Sequence, residues 1–259
     1  MSTQKCFVHP PPGLNLKELS GVLIVIEGPD SSGRSTQVAM LTRWLEAQGF
    51  PVAQVGLRRS YLVAKELESA KQGNTLSPRT MSLFYATDFY DQMENVIVPA
   101  LRAGSVVLAD RYIFTLMARD LVRGAEAGWL ESLYGLALVP DAVFYLDVSI
   151  KNLANRGLRT QGSLNYWESG MDMGLTRDWF ESFTRYQTRL RKVYLNLGEH
   201  YGFARINGNR MPDAIQKELK VGVQEVLRRR YPGIEVHEKP LLQPAEPPRP
   251  IVPIIKPEE

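Results

Sequence analysis

The sequence has 259 residues, 44% hydrophobic and 23% charged, with a net charge of +3, a composition ordinary for a globular protein that gives no support for nucleic-acid binding. Cys6 is the single cysteine, which excludes an internal disulfide framework and a cysteine metal cluster. Since no stretch approaches the ~18 apolar residues of a membrane span and the first twenty residues lack a secretory signal, we expect a cytoplasmic protein without membrane partners.

Proline distinguishes the two ends of the sequence from its middle. Of 17 prolines, 11 lie in residues 1–20 or 232–259. Proline lacks a backbone N–H and clashes with the preceding helical turn, so the C-terminal segment cannot continue a helix. We therefore predict an N-terminal extension over 1–20, one domain over 21–231 and a Pro-rich tail over 232–259. The tail is either an extended segment on the domain or on a partner subunit, or a disordered one.

The first element of the domain is an apolar strand that runs into a glycine-bounded loop. The stretch GPDSSGRST, which begins at Gly28, matches the phosphate-binding pattern G-x-x-x-x-G-K-[ST] except that Arg34 replaces lysine. Glycines let the backbone approach a phosphate, and the helix that follows directs its amides at the same anion. A helical pattern after the loop (Val38, Leu41, Leu45) supplies the expected context. The loop therefore predicts a phosphate-binding site.

Further strands and helices alternate along the middle of the chain. Strands are predicted at 22–27, 52–56, 105–109, 142–147 and 203–206. Ser77-Pro78 is typical of a helix start, and apolar residues at helical spacing predict a long amphipathic helix over 176–201. Apolar strands that are each followed by a helix predict an α/β fold with a parallel sheet covered on both faces. In such sheets ligands bind beyond the carboxyl ends of the strands.

A second motif follows the strand predicted at 105–109, where the chain reads SVVLADRY. A carboxylate at this edge, Asp110, can hold a magnesium ion, and Arg111 can clamp a phosphate through two parallel hydrogen bonds. The alternative is a structural role, in which Asp110 caps the next helix and Arg111 forms an ion pair with Asp110.

Together these motifs resemble the thymidylate kinase family. The matching segments, in order between residue 21 and about 228, are EGPDSSGRSTQ, LADRY and PDAVFYLDVS. The resemblance implies a P-loop NTPase fold with a five-stranded parallel sheet flanked by helices, and often a homodimer. It also implies transfer of the γ-phosphoryl group of ATP to thymidine monophosphate (dTMP) with Mg²⁺ as cofactor.

The resemblance implies roles for residues on the donor side. Asn207 follows the last strand, where the family's adenine pocket lies, and a lid over about 155–178 brings Arg156, Arg159 and Arg177 as candidates for the transferring group. The alternative for these three arginines is that they lie on a mobile surface helix and contact only solvent. Magnesium would be held by Ser35 and Asp110. The donor phosphates would be held by Gly28, Ser31, Ser32, Gly33, Arg34, Ser35 and Thr36.

On the acceptor side, the resemblance implies that Asp30 faces the sugar or the reacting phosphates. Arg59 would bind the acceptor phosphate, with Arg58 as the alternative under a one-residue shift, and Arg111 would be a second clamp. Tyr85, in LFYATD, matches the aromatic residue that stacks on the acceptor base.

Three departures from the family pattern bear on activity. Arg34 replaces a compact lysine charge by a wider guanidinium, which leaves open a weak kinase or a non-catalytic nucleotide-binding relative. Phe89 stands where the family carries an arginine that reads thymine, and Arg119-Asp120 replace a Tyr-Gln pair near the base. Asp120 can accept from an amino-bearing base, so another deoxynucleotide acceptor stays open, as does a deoxynucleoside kinase. The glycine-rich stretch 160–175 is interpreted as a flexible lid or as an insertion that packs against the tail.

Overall fold

Five parallel strands form one sheet in the computed structural model, which describes residues 5–73 and 76–233. The strands are β1 (Val22–Glu27), β2 (Val52–Gly56), β3 (Val106–Asp110), β4 (Ala142–Asp147) and β5 (Ala204–Asn207). Their order across the sheet is β2-β3-β1-β4-β5. The predicted α/β fold with a five-stranded parallel sheet is confirmed, and the predicted strands are displaced by at most one residue.

Helices cover both faces of this sheet. The helices are α1 (Arg34–Ala47), α2 (Ala64–Gly73), α3 (Pro78–Gln92), α4 (Val98–Arg102), α5 (Ile113–Val122), α6 (Ala127–Leu133), α7 (Ile150–Gln161), α8 (Trp179–Tyr201) and α9 (Pro212–Arg230). A π-helical turn, Met93–Ile97, joins α3 to α4. Alternate residues of β1 face the two helix layers: Ile24 packs with α1 and α9, and Val25 packs with α3, α5 and α8.

The register of the central strands aligns their carboxyl ends. Asp110 on β3 lies opposite Ile26 on β1 and opposite Gly56 on β2, while Glu27 lies opposite Tyr145 on β4. The loops that leave these strands therefore begin at the same edge of the sheet, and this edge carries the candidate site.

Helix starts follow their capping residues. The Ser77 hydroxyl accepts a hydrogen bond from the Thr80 amide at 3.3 Å, as the Ser-Pro signal predicts. The long helix predicted from residue 176 begins later, at Trp179, because the Asp178 carboxylate accepts from the Glu181 amide at 2.7 Å and caps it there.

The described part of the N-terminal extension packs on the domain. The Phe7 ring contacts Phe114 and Tyr201 edge-on, and the Val8 amide donates to the Gly135 carbonyl at 2.8 Å. The predicted Pro-rich tail lies outside the described residues from position 234 onward. Within the described ranges, the helices are too short or too polar to cross a membrane.

Candidate active site

The loop between β1 and α1 has the backbone of a phosphate cradle. Gly28 and Gly33 have φ angles of +151° and +94°, and Ser31 has +61°. A Cβ at Gly28 would lie 2.9 Å from Ser32 Oγ and 3.1 Å from the Leu146 carbonyl, so the close approach of the chain requires glycine there.

Arg34, the residue that departs from the loop pattern, is held inside the loop. Its side chain is only 8% exposed, and its Nε lies 2.9 Å from Asp110 Oδ1. Its Nη1 donates to the carbonyls of Gly28 and Pro29, and to Ser32 Oγ at 3.2 Å. The guanidinium thus satisfies carbonyls of the loop itself.

Asp110 and Ser35 come together at the end of β3. Ser35 Oγ donates to Asp110 Oδ2 at 2.6 Å. Burial alone would raise the pKa of Asp110, but Arg34 and the Ser35 hydrogen bond outweigh it and lower the pKa, which keeps the carboxylate ionised. One carboxylate and one hydroxyl, completed by phosphate oxygens and water, are a donor set that suits Mg²⁺. The alternative of Asp110 as a helix cap is not what is observed, because α5 begins after Tyr112.

Asp30 is fixed by two arginines from the segment after β3. Its Oδ1 accepts from Arg111, and its Oδ2 accepts from Arg119 Nη2 at 2.8 Å. Burial would raise the pKa of Asp30, but the two guanidinium groups hold it far below its ordinary value. The alternative in which Arg111 pairs with Asp110 is therefore wrong.

Glu27 anchors the segment that bears Arg111. Its carboxylate is fully buried and accepts from the amides of Tyr112 at 2.9 Å and Thr115 at 3.2 Å. Arg111 itself has a φ angle of +77°, an uncommon conformation for a residue with a Cβ. Sequence reasoning did not identify Glu27, although a charged residue at the end of an apolar strand is a visible signal.

A partly enclosed cavity of about 210 Å³ lies beside Arg119, one of the two arginines that hold Asp30. Of the predicted acceptor residues, Tyr85, Arg119 and Asp120 line it, together with Asp30. The other residues that line it were not predicted as site residues: Lys71, Leu76, Pro78, Met81, Leu116, Arg123, Trp167, Glu168, Asp172, Tyr186, Gln187 and Leu190. Arg123 lies one helical turn beyond Arg119, a spacing that could have identified it.

Phe89 does not line this cavity, and its assignment as an acceptor contact is corrected. The side chain is 4% exposed and its ring lies 5.0 Å from those of Tyr90 and Tyr112. Burial of an apolar ring lowers the free energy of the folded state, and Phe89 accordingly packs in the core and not beside the ligand.

The glycine-rich stretch 160–175 packs across the cavity. Trp167 Nε1 donates to the Lys71 carbonyl at 3.1 Å, which ties the stretch to α2. Arg123, which follows the last residue of α5, donates to both carboxylate oxygens of Asp172, at 2.8 and 3.1 Å. The stretch is therefore anchored over the cavity in this structure, and its predicted contact with the tail lies outside the described residues.

Two titratable groups of the cavity have strongly shifted pKa values. Burial, together with repulsion from Asp30, raises the pKa of Glu168 to about 7. Burial, together with repulsion from Arg119 and Arg58, lowers the pKa of Lys71 to about 8. Both groups therefore change charge close to neutral pH.

A more open chamber, of about 570 Å³, lies in front of the phosphate loop. Arg58 and Arg59 both line it, with Arg34, Asp110 and Arg111 among its other walls. The Arg58 side chain pairs with Glu68 on α2. Arg59 lies against Gly56, where a Cβ would be 3.2 Å from Arg59 Nε.

Four residues predicted for the donor side lie outside the phosphate loop. Arg156 on α7 donates to the Ser32 carbonyl at 3.1 Å and to the Gly208 carbonyl at 2.9 Å. Arg159 and Arg177 are exposed. Asn207 lines a third space of about 620 Å³, with Asp147, Ser149, Ile150, Arg191, Arg205 and Asn209.

Comparisons with known proteins show which family and which relatives this chain resembles. A family model described as thymidylate kinase matches residues 26–219. The probable thymidylate kinase 2 of Saccharolobus solfataricus is 33% identical over 210 residues, covering 81% of this chain and 96% of the relative. The probable thymidylate kinase of Thermococcus gammatolerans is 30% identical over 223 residues, covering 80% and 98%.

Proposed function

The chain belongs to the thymidylate kinase family and is a nucleoside monophosphate kinase, and we propose that it transfers the γ-phosphoryl group of ATP to dTMP. One observation carries the proposal: Asp30 lines both the cavity beside Arg119 and the chamber before the phosphate loop. An acceptor with its base in the cavity and its phosphate in the chamber therefore presents that phosphate to the loop.

The donor phosphates lie, in this proposal, on the loop amides of residues 31–36. The backbone of the loop supports this, because Gly28 and Gly33 lack a Cβ and let the chain curl around an anion. Arg156 bridges the loop and the strand-end turn at Gly208 through two hydrogen bonds, which hold its guanidinium beside the loop. Its further N–H groups can donate to bound phosphates. The adenine base occupies the space beside Asn207.

Ser35 and Asp110 would hold the magnesium ion of the nucleotide. When bound, Mg²⁺ neutralises charge on the phosphate oxygens and helps to orient them. The surrounding cations act on the same charge: phosphoryl transfer depends chiefly on alignment and on electrostatic stabilisation of the developing charge. Arg34, Arg111 and Arg156 supply that stabilisation from three different elements.

The acceptor base lies against Tyr85 in the cavity. Thymine offers two carbonyl oxygens and one N–H, and the cavity contains matching partners. Arg119 and Arg123 are donors on its wall, and Gln187 Oε1 is a buried acceptor without a hydrogen-bond partner in the described residues. Arg119 and Arg123 thus take the place of the thymine-reading arginine that the family carries at the position of Phe89.

The proposal is tested by ADP release in a coupled assay with Mg-ATP and each of dTMP, dUMP, dCMP, dAMP and dGMP. We expect the highest kcat/KM with dTMP. A preference for an amino-bearing base would contradict the acceptor assignment and would implicate Asp120. Tight ATP binding without ADP release from any pair would contradict turnover itself.

Three expectations accompany the proposal. We propose a homodimer, which light scattering tests against the 29.2 kDa of one chain. We also propose a cytoplasmic location. Finally, we propose an N-terminal extension, a kinase domain and a C-terminal tail at the boundaries predicted above, and limited proteolysis tests these boundaries.

A further inference from the structure

The loop between β2 and α2 carries two adjacent arginines in front of the phosphate loop. Arg58 and Arg59 line the same chamber as Arg34 and Asp110. Arg58 has a φ angle of +60°, a left-handed conformation that is unfavourable for a residue with a Cβ. A loop in this conformation persists only where contacts outside it hold the backbone.

Asp88 on α3 provides such a contact. Its carboxylate is fully buried, and it accepts from the Arg58 amide at 2.7 Å through Oδ2 and from the Ser60 amide at 3.0 Å through Oδ1. The two amides flank Arg59 in the chain, so this one carboxylate fixes the backbone on both sides of that arginine.

Gln92, one helical turn after Asp88, extends the contact to the end of β2. Its Nε2 donates to Asp88 Oδ2 at 3.1 Å, and its Oε1 accepts from the Gly56 amide at 3.2 Å. The Arg59 guanidinium lies against this same Gly56. The strand end, the loop and the arginine are therefore connected through two side chains of α3.

The chemistry of the contact requires a carboxylate. Burial raises the pKa of Asp88, while backbone hydrogen bonds from Ser60, Arg58 and Arg59 oppose that effect. A carboxylate offers acceptors on both oxygens, whereas the amide group of asparagine would place an N–H donor opposite a backbone N–H. Asparagine at this position therefore keeps the size of the side chain and loses part of the support.

We propose that Asp88 is a positioning residue for the acceptor phosphate, acting through the backbone of residues 57–60 to direct Arg59 into the chamber before the phosphate loop. The inference rests on the proposed function, because it assigns the acceptor phosphate to that chamber. Asp88 itself is fully buried and acts only through the loop.

The test compares Asp88→Asn with the matched control Asp91→Asn in the full chain. Asp91 lies three residues further along the same helix, and its carboxylate accepts from the exposed Asn95 side chain. Two measurements are made on each variant: steady-state kinetics with dTMP and ATP varied separately, and hydrogen exchange of the amides of residues 57–60 without ligand.

We expect Asp88→Asn to raise the KM for dTMP roughly tenfold, with kcat and the KM for ATP changed less than about threefold, and to speed amide exchange in the loop. Asp91→Asn should match the wild type in both. If Asp88→Asn does not fold, Gln92→Met replaces it, with a rise of about threefold in the KM for dTMP.

Two results would overturn the inference: unchanged exchange in the loop, or equal rises in the KM values for dTMP and ATP, which would indicate a general structural role. If the wild type phosphorylates no deoxynucleotide, the proposed function fails separately. The exchange measurement then still decides whether Asp88 holds the loop, and unchanged exchange would contradict it.

Discussion

The Arg34 guanidinium lies 2.9 Å from the Asp110 carboxylate, and each side chain is less than one-tenth exposed. This ion pair joins the residue that departs from the phosphate-loop pattern to the residue proposed to hold magnesium. Ser35 donates to the other oxygen of the same carboxylate. The identity of residue 34 and the affinity for the metal are therefore coupled through Asp110.

Arg34→Lys should give a kinase at least as fast as the wild type. A lysine ammonium is compact and presents a point charge to phosphates, and it cannot make the Nε contact that occupies Asp110. We expect kcat to rise by about tenfold at most, equivalent to ~1.4 kcal/mol in the barrier. Arg34→Met, which removes the charge, should lower kcat on the order of 100-fold. Coupled ADP release measures both, and a slower Arg34→Lys variant would show that the guanidinium itself is needed.

Asp110→Asn should lose both activity and stability. The substitution leaves the buried Arg34 guanidinium without its charge partner, which typically costs about 3–5 kcal/mol. Urea unfolding followed by circular dichroism measures this loss. The exposed pair Arg229–Glu225 is a control, since Glu225→Gln should change the unfolding free energy by less than about 1 kcal/mol. Equal effects at the two sites would contradict the buried ion pair.

Glu168→Gln should change how stability depends on pH. The pKa of Glu168 is raised from 4.5 to about 7 in the folded protein, so its stabilising contribution is complete below pH 4.5 and is lost as pH rises through 7. Glutamine does not ionise, and the variant should be more stable than the wild type at pH 8 by roughly 1–3 kcal/mol, since one pKa unit is worth ~1.4 kcal/mol.

The comparison is made by urea unfolding at pH 4.5 and pH 8, with the exposed Glu46→Gln as control. Lys71, with a pKa of about 8, titrates in both proteins. An unfolding free energy that differs between Glu168→Gln and the wild type by the same amount at both pH values would rule out ionisation of Glu168 as the cause.

Tyr85→Ala should weaken acceptor binding selectively. Stacking of a base on an aromatic side chain is worth about 1–3 kcal/mol, so the KM for dTMP should rise roughly tenfold or more. Leu83, on the same helix and 46% exposed, provides the control Leu83→Ala, which should leave that KM unchanged. An equal rise in the KM for ATP would indicate that the variant disturbs the whole site.

Much of this arrangement follows from local sequence signals. The β1 strand, the glycine loop and α1 are adjacent in the chain, so a local pattern is enough to predict them. The proximity of Ser35 to Asp110 follows from the rule that parallel strands place their carboxyl ends at one edge of the sheet. The start of α8 is predicted three residues too early, at 176, although a local signal for the observed start exists: Asp178 is followed three residues later by Glu181, a common N-terminal capping pattern.

Other features depend on contacts that no local pattern encodes. Asp30 pairs with Arg111 across 81 positions of the chain, and Lys71 meets Trp167 across 96. Tyr85 and Phe89 lie one turn apart on the same face of α3, so the position of each turn along the helix decides that Tyr85 lines the cavity while Phe89 packs in the core. A motif alignment does not contain that position. The role of Asp88 was hidden for the same reason, since its partners are amides of a distant loop.

The central claim is tested most directly by following the γ-phosphate of labelled ATP in a reaction with Mg²⁺ and dTMP, with the products separated by chromatography. The account predicts that the label appears in thymidine diphosphate in an amount equal to the ADP formed. Label found only in inorganic phosphate, or remaining in ATP while both nucleotides bind, would contradict it.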